Sequence, residues 1–186
     1  MKYICKFLLK ILGWKAMEPP VPEAKGIILG VPHTSSWDFI ISFLYYHSVG
    51  GKAYVMVKKE FFWGPLAPIM RAMGAISVDR KRGATLTRQI IEEFKTRDHL
   101  HMAIAPEGTR KRVENWKTGF HTIARATGAA VYLGYFDWKT KTVGRGEKIE
   151  LTDDVQADMK RIRQHYKDKG IQGKHPELFT TGSDIE

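Results

Sequence analysis

The chain has 186 residues, 43% of them hydrophobic, which suits a single domain with a real core. Its formal net charge of +10 indicates an anionic partner: nucleic acid, a phosphorylated metabolite or an anionic membrane surface. The single cysteine, Cys5, excludes an internal disulfide and a thiolate metal cluster and fits a reducing compartment. No stretch reaches the roughly 18 apolar residues of a membrane-spanning helix, and we predict no secretory signal.

Residues 1–17 have the pattern of a short basic amphipathic helix, with apolar residues at helical spacing and lysines between them. Such a helix can lie in a membrane interface or pack on the core of its own domain, and the sequence leaves both open. A proline-rich linker follows. We therefore predict three parts: a membrane-associating helix and linker over 1–22, the main domain over 23–170, and a peripheral tail over 171–186.

The turn that follows the first predicted strand carries the main candidate residues. An apolar run over 26–31 predicts a buried strand, Pro32 ends it, and a helix follows over about 36–46. His33 then lies in the turn, from which its imidazole can fold back towards Asp38. A histidine held by a carboxylate is a common general base. The alternative is a capping box of Ser35 and Asp38, with His33 an ordinary loop residue.

The remaining predicted elements alternate between strand and helix. We predict further strands over 53–57, 75–78, 99–105, 129–138 and 148–151, and further helices over 85–96, 119–127 and 153–169. Two prolines make a continuous helix over 60–70 improbable. That apolar segment is interpreted as core rather than as a patch that faces a membrane or an acyl chain.

This alternation predicts an α/β fold, a mostly parallel or mixed central sheet flanked by helices. His33, Arg80 and Glu107 each lie just beyond the carboxyl end of a predicted strand. These ends share one edge of an open α/β sheet, where ligands bind, so we expect the three residues to converge there.

The run from Pro106 to Arg110 adds features that suit a phosphate. Gly108 permits close backbone approach, Thr109 offers a hydroxyl, and Arg110 presents a planar fork of donors. Arg80 is a second candidate phosphate ligand. Either arginine alone is more often a solvated surface charge.

Three ordered motifs together resemble a known family. They are His-x-x-x-x-Asp (His33, Asp38), Gly-x-Ile-x-x-x-Arg (Gly74 to Arg80) and Pro-Glu-Gly-Thr-Arg (Pro106 to Arg110). This set resembles that of the glycerolipid acyltransferases, most closely the 1-acylglycerol-3-phosphate, or lysophosphatidic acid, acyltransferases, over about residues 25–138. The resemblance implies a glycerol-3-phosphate acyltransferase-like fold.

The resemblance also implies a mechanism and partners. Asp38 would orient His33, and His33 would deprotonate the hydroxyl of a lysophospholipid. The hydroxyl would then attack the thioester of acyl-CoA or acyl-carrier protein directly. The acceptor would be held by Arg80, Glu107, Gly108, Thr109 and Arg110. No cofactor or metal is expected, and the enzyme would be peripheral on the cytoplasmic face of the cell membrane.

Three departures from the family pattern leave the acceptor and donor open: Pro32 before the histidine, Lys111 after the arginine, and no proline in 129–134. Glycerol phosphate or a lyso-aminolipid are alternative acceptors within the family. Outside it, a non-catalytic lipid-binding protein and a nucleic-acid-binding module are alternatives. The second is disfavoured because there is no recognised nucleic-acid motif and the basic residues are spread along the chain.

Overall fold

A computed structural model describes residues 1–78 and 83–185. The strands in chain order are β1 (Lys15–Ala16), β2 (Lys25–Leu29), β3 (Ala53–Lys58), β4 (Ala75–Val78), β5 (Leu100–Ile104), β6 (Ala130–Tyr132), β7 (Tyr135–Asp137), β8 (Thr142–Gly144) and β9 (Lys148–Ile149). The helices are α1 (Lys2–Ile11), α2 (Trp37–Ser48), α3 (Leu66–Ala72), α4 (Gly83–Thr96), α5 (Gly119–Thr127) and α6 (Val155–Lys169), with single 3₁₀ turns at Lys59–Phe61 and Pro176–Leu178.

Six strands form the central sheet, in the order β4-β3-β5-β2-β6-β9. All neighbours are parallel except β9, which runs antiparallel to β6. The predicted α/β fold with a mixed central sheet flanked by helices is confirmed. Leu29 pairs with Ile104, so β2 and β5 end at the same level and bring the turns that follow them to one edge.

The two faces of the central sheet carry separate cores, because successive side chains of a strand point to opposite faces. Ile27 and Leu29 pack with residues of α4, α5 and α6 on one face. Ile28 packs with residues of α1, α2 and a smaller sheet on the other. Burying an aliphatic or aromatic side chain of this kind stabilises the fold by about 1.5–3 kcal/mol. The ends of β2 and β5, where the two turns meet, are therefore held between a core on each face of the central sheet.

The smaller sheet, in the order β1-β8-β7, corrects one prediction. Residues 129–138 were expected to form one strand, but the chain leaves the central sheet after β6 and enters the smaller sheet as β7. The change occurs at Gly134, where a Cβ atom would lie 2.5 Å from the Leu29 carbonyl oxygen. The apolar pattern is continuous across this point, so it does not reveal the change of sheet.

The N-terminal helix is shorter than predicted and has two unlike apolar sides. It ends at Ile11, and Gly13 at φ +75° turns the chain towards β1. Cys5 and Leu9 are buried in the core beside α2, as expected of a helix that packs on the core of its own domain. The opposite side leaves apolar side chains exposed, among them Tyr3, Ile4, Phe7, Leu8, Ile11 and Leu12. Among residues 1–78 and 83–185, no helix combines the length and apolar character needed to cross a bilayer.

The segment 60–70 differs from its predicted environment. The assignment of 60–70 to the core is wrong for Trp63 and Ile69, whose exposed fractions are 63% and 54%. The segment forms a 3₁₀ turn and, after Pro65, the short helix α3, whose first turn tolerates Pro68 because its N–H would have no helical partner.

The chain after Gly170 is not peripheral. Ile171, Thr180 and Ile185 are buried, and the indole N–H of Trp116 donates to the Thr180 carbonyl at 3.2 Å. An ion pair between Arg163 and Asp184 at 2.6 Å also fixes the tail to α6. The tail is therefore part of the same fold, and it reaches the edge of the sheet where the candidate residues lie.

Candidate active site

His33 and Asp38 meet at the carboxyl end of β2. His33 Nδ1 lies 3.4 Å from Asp38 Oδ2, across the turn that joins β2 to α2. The carboxylate is almost completely buried, with 1% of the side chain exposed, whereas 28% of the His33 side chain is exposed. One member of the pair is thus held inside the protein and the other faces outward, as a general base that must reach a substrate requires.

Half of the predicted capping box is present: the N-cap of α2 is Ser36 rather than Ser35 and makes no side-chain cap bond, but the Asp38 carboxylate does reach back to the turn. Asp38 Oδ2 accepts hydrogen bonds from the backbone N–H groups of Thr34 at 2.9 Å and Ser35 at 2.8 Å. The Ser35 hydroxyl in turn accepts one from the backbone N–H of Trp37 at 3.2 Å. The same carboxylate therefore fixes the start of α2 and contacts the imidazole, so the two interpretations are not alternatives.

The other oxygen of the Asp38 carboxylate has a partner from a distant part of the chain. The indole N–H of Trp138, in the loop after β7, donates to Asp38 Oδ1 at 2.9 Å. Both oxygens are thereby engaged by donors, which fixes the orientation of the carboxylate plane.

Glu107 supports the same turn from the end of β5. The backbone N–H of His33 donates to Glu107 Oε1 at 3.0 Å and to Oε2 at 3.1 Å. The pKa of Glu107 is raised to about 8, mainly by burial; the hydrogen bond from the His33 N–H acts to lower it and the nearby Asp38 charge to raise it. Glu107 is thus a buried support for the His33 backbone, and its carboxylate faces the turn rather than solvent.

The loop after Glu107 carries the cationic groups. Gly108 adopts φ +67°, a conformation that favours glycine, and the end of the flexible Lys117 side chain lies over it. The Lys117 backbone N–H closes the loop by donating to the Pro106 carbonyl at 2.7 Å. Beyond the glycine, the Arg110 guanidinium donates to the Ser36 hydroxyl at the start of α2.

An open cleft of about 480 Å³ lies between the His33 turn and this loop. Hydroxyls and cations dominate its lining, which comprises Thr34, Ser35, Ser36, Thr109, Arg110, Lys111, His175 and Leu178. The last two come from the tail, whose backbone N–H at His175 donates to the Thr34 hydroxyl at 3.3 Å. Such a lining suits an anion with several oxygen atoms.

A family model described as Acyltransferase matches residues 17–133, which is 117 of the 186 residues. The chain belongs to the acyltransferase family. No curated protein sequence matches the chain. The fold of the acyltransferase is similar to the crystal structure of the 1-acyl-sn-glycerophosphate (LPA) acyltransferase PlsC from Thermotoga maritima, with a TM-score of 0.63. The two chains are 15% identical, and the match covers 93% of this chain and 79% of that one.

The acyltransferase brings most of the predicted site residues to one edge of its sheet. His33 contacts both Asp38 and Glu107, and Arg110 reaches the same turn from its loop. Arg80 lies outside the described residues. Within the described ranges, no three His, Cys, Asp or Glu side chains form a group that could hold a metal. The catalytic and acceptor-binding roles, and the expectation of metal-free chemistry, stay predictions.

Two residues of the site were not predicted. Trp138 and His175 lie 100 and 141 positions from their partners Asp38 and Thr34, so no local pattern marks either contact. The tail also has no helical or strand period that would indicate packing. Trp138 follows β7 of the smaller sheet and reaches Asp38, whereas His175 follows α6 and reaches the cleft.

A small apolar cavity of about 30 Å³ lies between α2 and the sheets of the acyltransferase. Phe39 and Phe43 of α2, Ile28 of β2 and Phe136 of β7 contribute to its lining. This volume suits one water molecule rather than an alkyl chain. A long acyl chain would enter here only if the lining side chains moved apart.

The stability of the acyltransferase should depend on pH through Glu107. Its pKa rises from the usual 4.5 to about 8 on folding, so the native state binds this proton more tightly than the unfolded chain does. The resulting stability is present below pH 4.5 and is lost as the pH rises towards 8. Between about pH 5 and 8, the unfolding free energy of the wild type should therefore fall by roughly 3 kcal/mol relative to Glu107→Gln, which cannot titrate.

Urea unfolding at several pH values measures this difference. Glu60→Gln, which removes an exposed carboxylate, is the matched control and should follow the wild type. Parallel curves for Glu107→Gln and the wild type would show that Glu107 has an ordinary pKa.

Proposed function

We propose that this acyltransferase moves a fatty acyl chain from the thioester of acyl-CoA or acyl-carrier protein to a hydroxyl of a lysophospholipid such as 1-acylglycerol-3-phosphate. The observation that carries the proposal is the contact of 3.4 Å between His33 and the buried Asp38, beside a cleft that contains Arg110. The printed description of the similar PlsC structure, an LPA acyltransferase, agrees with this acceptor class.

The reaction needs one base and no covalent intermediate on the protein. His33 takes the proton of the acceptor hydroxyl, and the hydroxyl oxygen bonds to the thioester carbonyl carbon. The carbon–sulfur bond then breaks, and the leaving thiolate takes the proton from the imidazolium. Asp38 holds the ring with Nδ1 inward, which leaves Nε2 for the substrate, and stabilises the imidazolium that forms.

The cleft supplies the chemistry for an acceptor head group. Arg110 presents a planar set of donors, Lys111 adds a second charge, and the hydroxyl of Thr109, which precedes them in sequence, lines the same cleft. A phosphate monoester placed there would have its glycerol hydroxyls on the side of His33. Arg80 stays an additional candidate for this phosphate, and the His175 ring adds a donor from the tail.

The exposed apolar side chains support binding to a membrane surface. In the part of the chain that the structure describes, the large exposed apolar side chains all lie between Met1 and Ile69, and seven of them belong to residues 1–12. Lys2, Lys6 and Lys10 alternate with them in α1. A basic amphipathic helix of this kind lies in the plane of an anionic interface. We therefore propose a peripheral protein on the cytoplasmic face, with residues 1–22 as the attachment and an acyltransferase domain that begins at 23 and includes the packed tail after Gly170.

A thiol-release assay with the purified chain tests the proposed function. Palmitoyl-CoA or palmitoyl-acyl-carrier protein is mixed with 1-acylglycerol-3-phosphate, glycerol 3-phosphate, a lyso-aminolipid or no acceptor. We expect thiol release and an esterified product with 1-acylglycerol-3-phosphate and only background release without an acceptor. Transfer to another acceptor would keep the reaction and change the substrate. Lipid binding with no transfer to any acceptor would contradict the reaction itself.

A further inference from the structure

Trp138 connects three parts of the chain that are distant in sequence. Its indole N–H donates to Asp38 Oδ1 at 2.9 Å, and its backbone N–H donates to the Gln172 carbonyl in the tail at 2.9 Å. The edge of the Trp14 ring packs on it at a centroid distance of 5.0 Å and an interplanar angle of 89°. We propose that Trp138 is a positioning residue for acyl transfer: its N–H holds the Asp38 carboxylate in the orientation that places the other oxygen against His33.

The two oxygens of the Asp38 carboxylate contact different groups. Oδ2 contacts His33 Nδ1 and accepts from the backbone N–H groups of Thr34 and Ser35. Oδ1 accepts from Trp138. Rotation of the carboxylate about its Cβ–Cγ bond would separate Oδ2 from all three of its partners. A charge-assisted bond to Oδ1 opposes this rotation most directly, because it acts from the opposite side.

The indole can hold the carboxylate because it is itself held. Besides the Trp14 edge, the ammonium groups of Lys141 and Lys174 lie 4.3 Å and 5.2 Å from the Trp138 ring centroid. Aromatic edge-to-face packing and cation–π contacts both depend on ring orientation, so together they resist tilting of the indole. Trp14 is buried and follows α1, so the N-terminal segment contributes to the alignment of the active site.

A pure packing role would need the ring of Trp138 but not its N–H group. Phenylalanine keeps an aromatic ring and removes the donor, so Trp138→Phe tests the N–H. Trp116→Phe is the matched control, because Trp116 is buried and donates its indole N–H at 3.2 Å to a backbone carbonyl away from Asp38. The inference rests on the proposed function, in which Asp38 orients the base.

In steady-state assays, Trp138→Phe should lower kcat by about tenfold, the effect of losing one hydrogen bond to a charged group. KM for donor and acceptor should stay within about twofold, because Trp138 touches neither the thioester nor the head group. Trp116→Phe should keep kcat within about twofold of the wild type. Undiminished kcat in Trp138→Phe, or an equal loss in both variants, would overturn the positioning role.

A second measurement does not depend on turnover. In ¹⁵N–¹H spectra of the labelled protein, the Trp138 indole resonance is the one lost in Trp138→Phe, and Asp38→Asn should shift it because the charged acceptor is gone. The Trp116 resonance should stay in place and report an intact fold. An unmoved Trp138 resonance would refute the contact. A shifted resonance without any acyl transfer would instead refute the proposed function while leaving the contact established.

Discussion

Replacement of His33 by alanine should lower kcat for acceptor-dependent thiol release by about 10²- to 10⁴-fold, the usual contribution of a positioned general base. The substitution should leave the fold intact for a structural reason. The backbone N–H of residue 33, which donates to Glu107, is unchanged by it. Asp38 also keeps its bonds from Thr34, Ser35 and Trp138, so no buried charge loses all its partners.

Circular dichroism and thermal unfolding of the variant check the fold, and the thiol-release assay checks the chemistry. His99→Ala is the matched control, since His99 is exposed and precedes β5, at the opposite edge of the sheet from His33. It should retain wild-type turnover. Full activity of His33→Ala would remove the base role and with it the assigned mechanism.

Two aspartates on the exposed side of α1 should reduce binding to anionic vesicles by at least about a hundredfold. Phe7 and Ile11 have exposed fractions of 62% and 64% and lie four residues apart on the helix. Each would give up about 1.5–3 kcal/mol of apolar transfer if buried in an interface, and the new negative charges would be repelled by anionic lipid. Because both side chains are exposed, Phe7→Asp with Ile11→Asp should change stability little.

Sedimentation with phosphatidylglycerol-containing vesicles measures this binding. The control pair is Gln156→Asp with Ala157→Asp, which adds the same charge at exposed positions in the first turn of α6, where acidic residues are favourable. Helix α6 contributes to the core on the other face of the central sheet from the core that contains α1. The control pair should sediment nearly as the wild type does. If the α1 pair sedimented with vesicles as fully as the control pair, α1 would not be the membrane-binding element.

Local patterns were sufficient for the central sheet and for the His33 turn. Apolar runs predicted β2 and β3, and short strand-like segments predicted β4 and β5, to within a residue or two. Strand β2 is buried on both faces and therefore needs no alternation of apolar and polar residues. The rule that parallel strands share a carboxyl edge then predicted that His33 and Glu107 would converge, and they do.

Contacts between distant segments could not be predicted in this way. Gly134 marks the change from one sheet to the other, but its role depends on Leu29, which approaches from another strand. The contacts of Glu107 likewise depend on a distant segment. Its motif predicts a residue that holds the acceptor, and this role stays a prediction, but the motif does not reveal that Glu107 is buried and accepts hydrogen bonds from the His33 backbone. Burial of the tail and the Trp138 contact both follow from the tertiary arrangement alone.

Within the run 106–110, some residues hold the turn and others line the cleft, and this difference matters for redesign. Glu107 is tied to the main chain at residue 33, and Gly108 has φ +67°, so exchange of either residue would disturb the turn. Thr109, Arg110 and the neighbouring Lys111 line the open cleft, where Arg110 contacts the turn only through the hydroxyl of Ser36. An engineer who wishes to admit a zwitterionic or uncharged lipid could therefore vary the second half of the motif and leave the first half untouched.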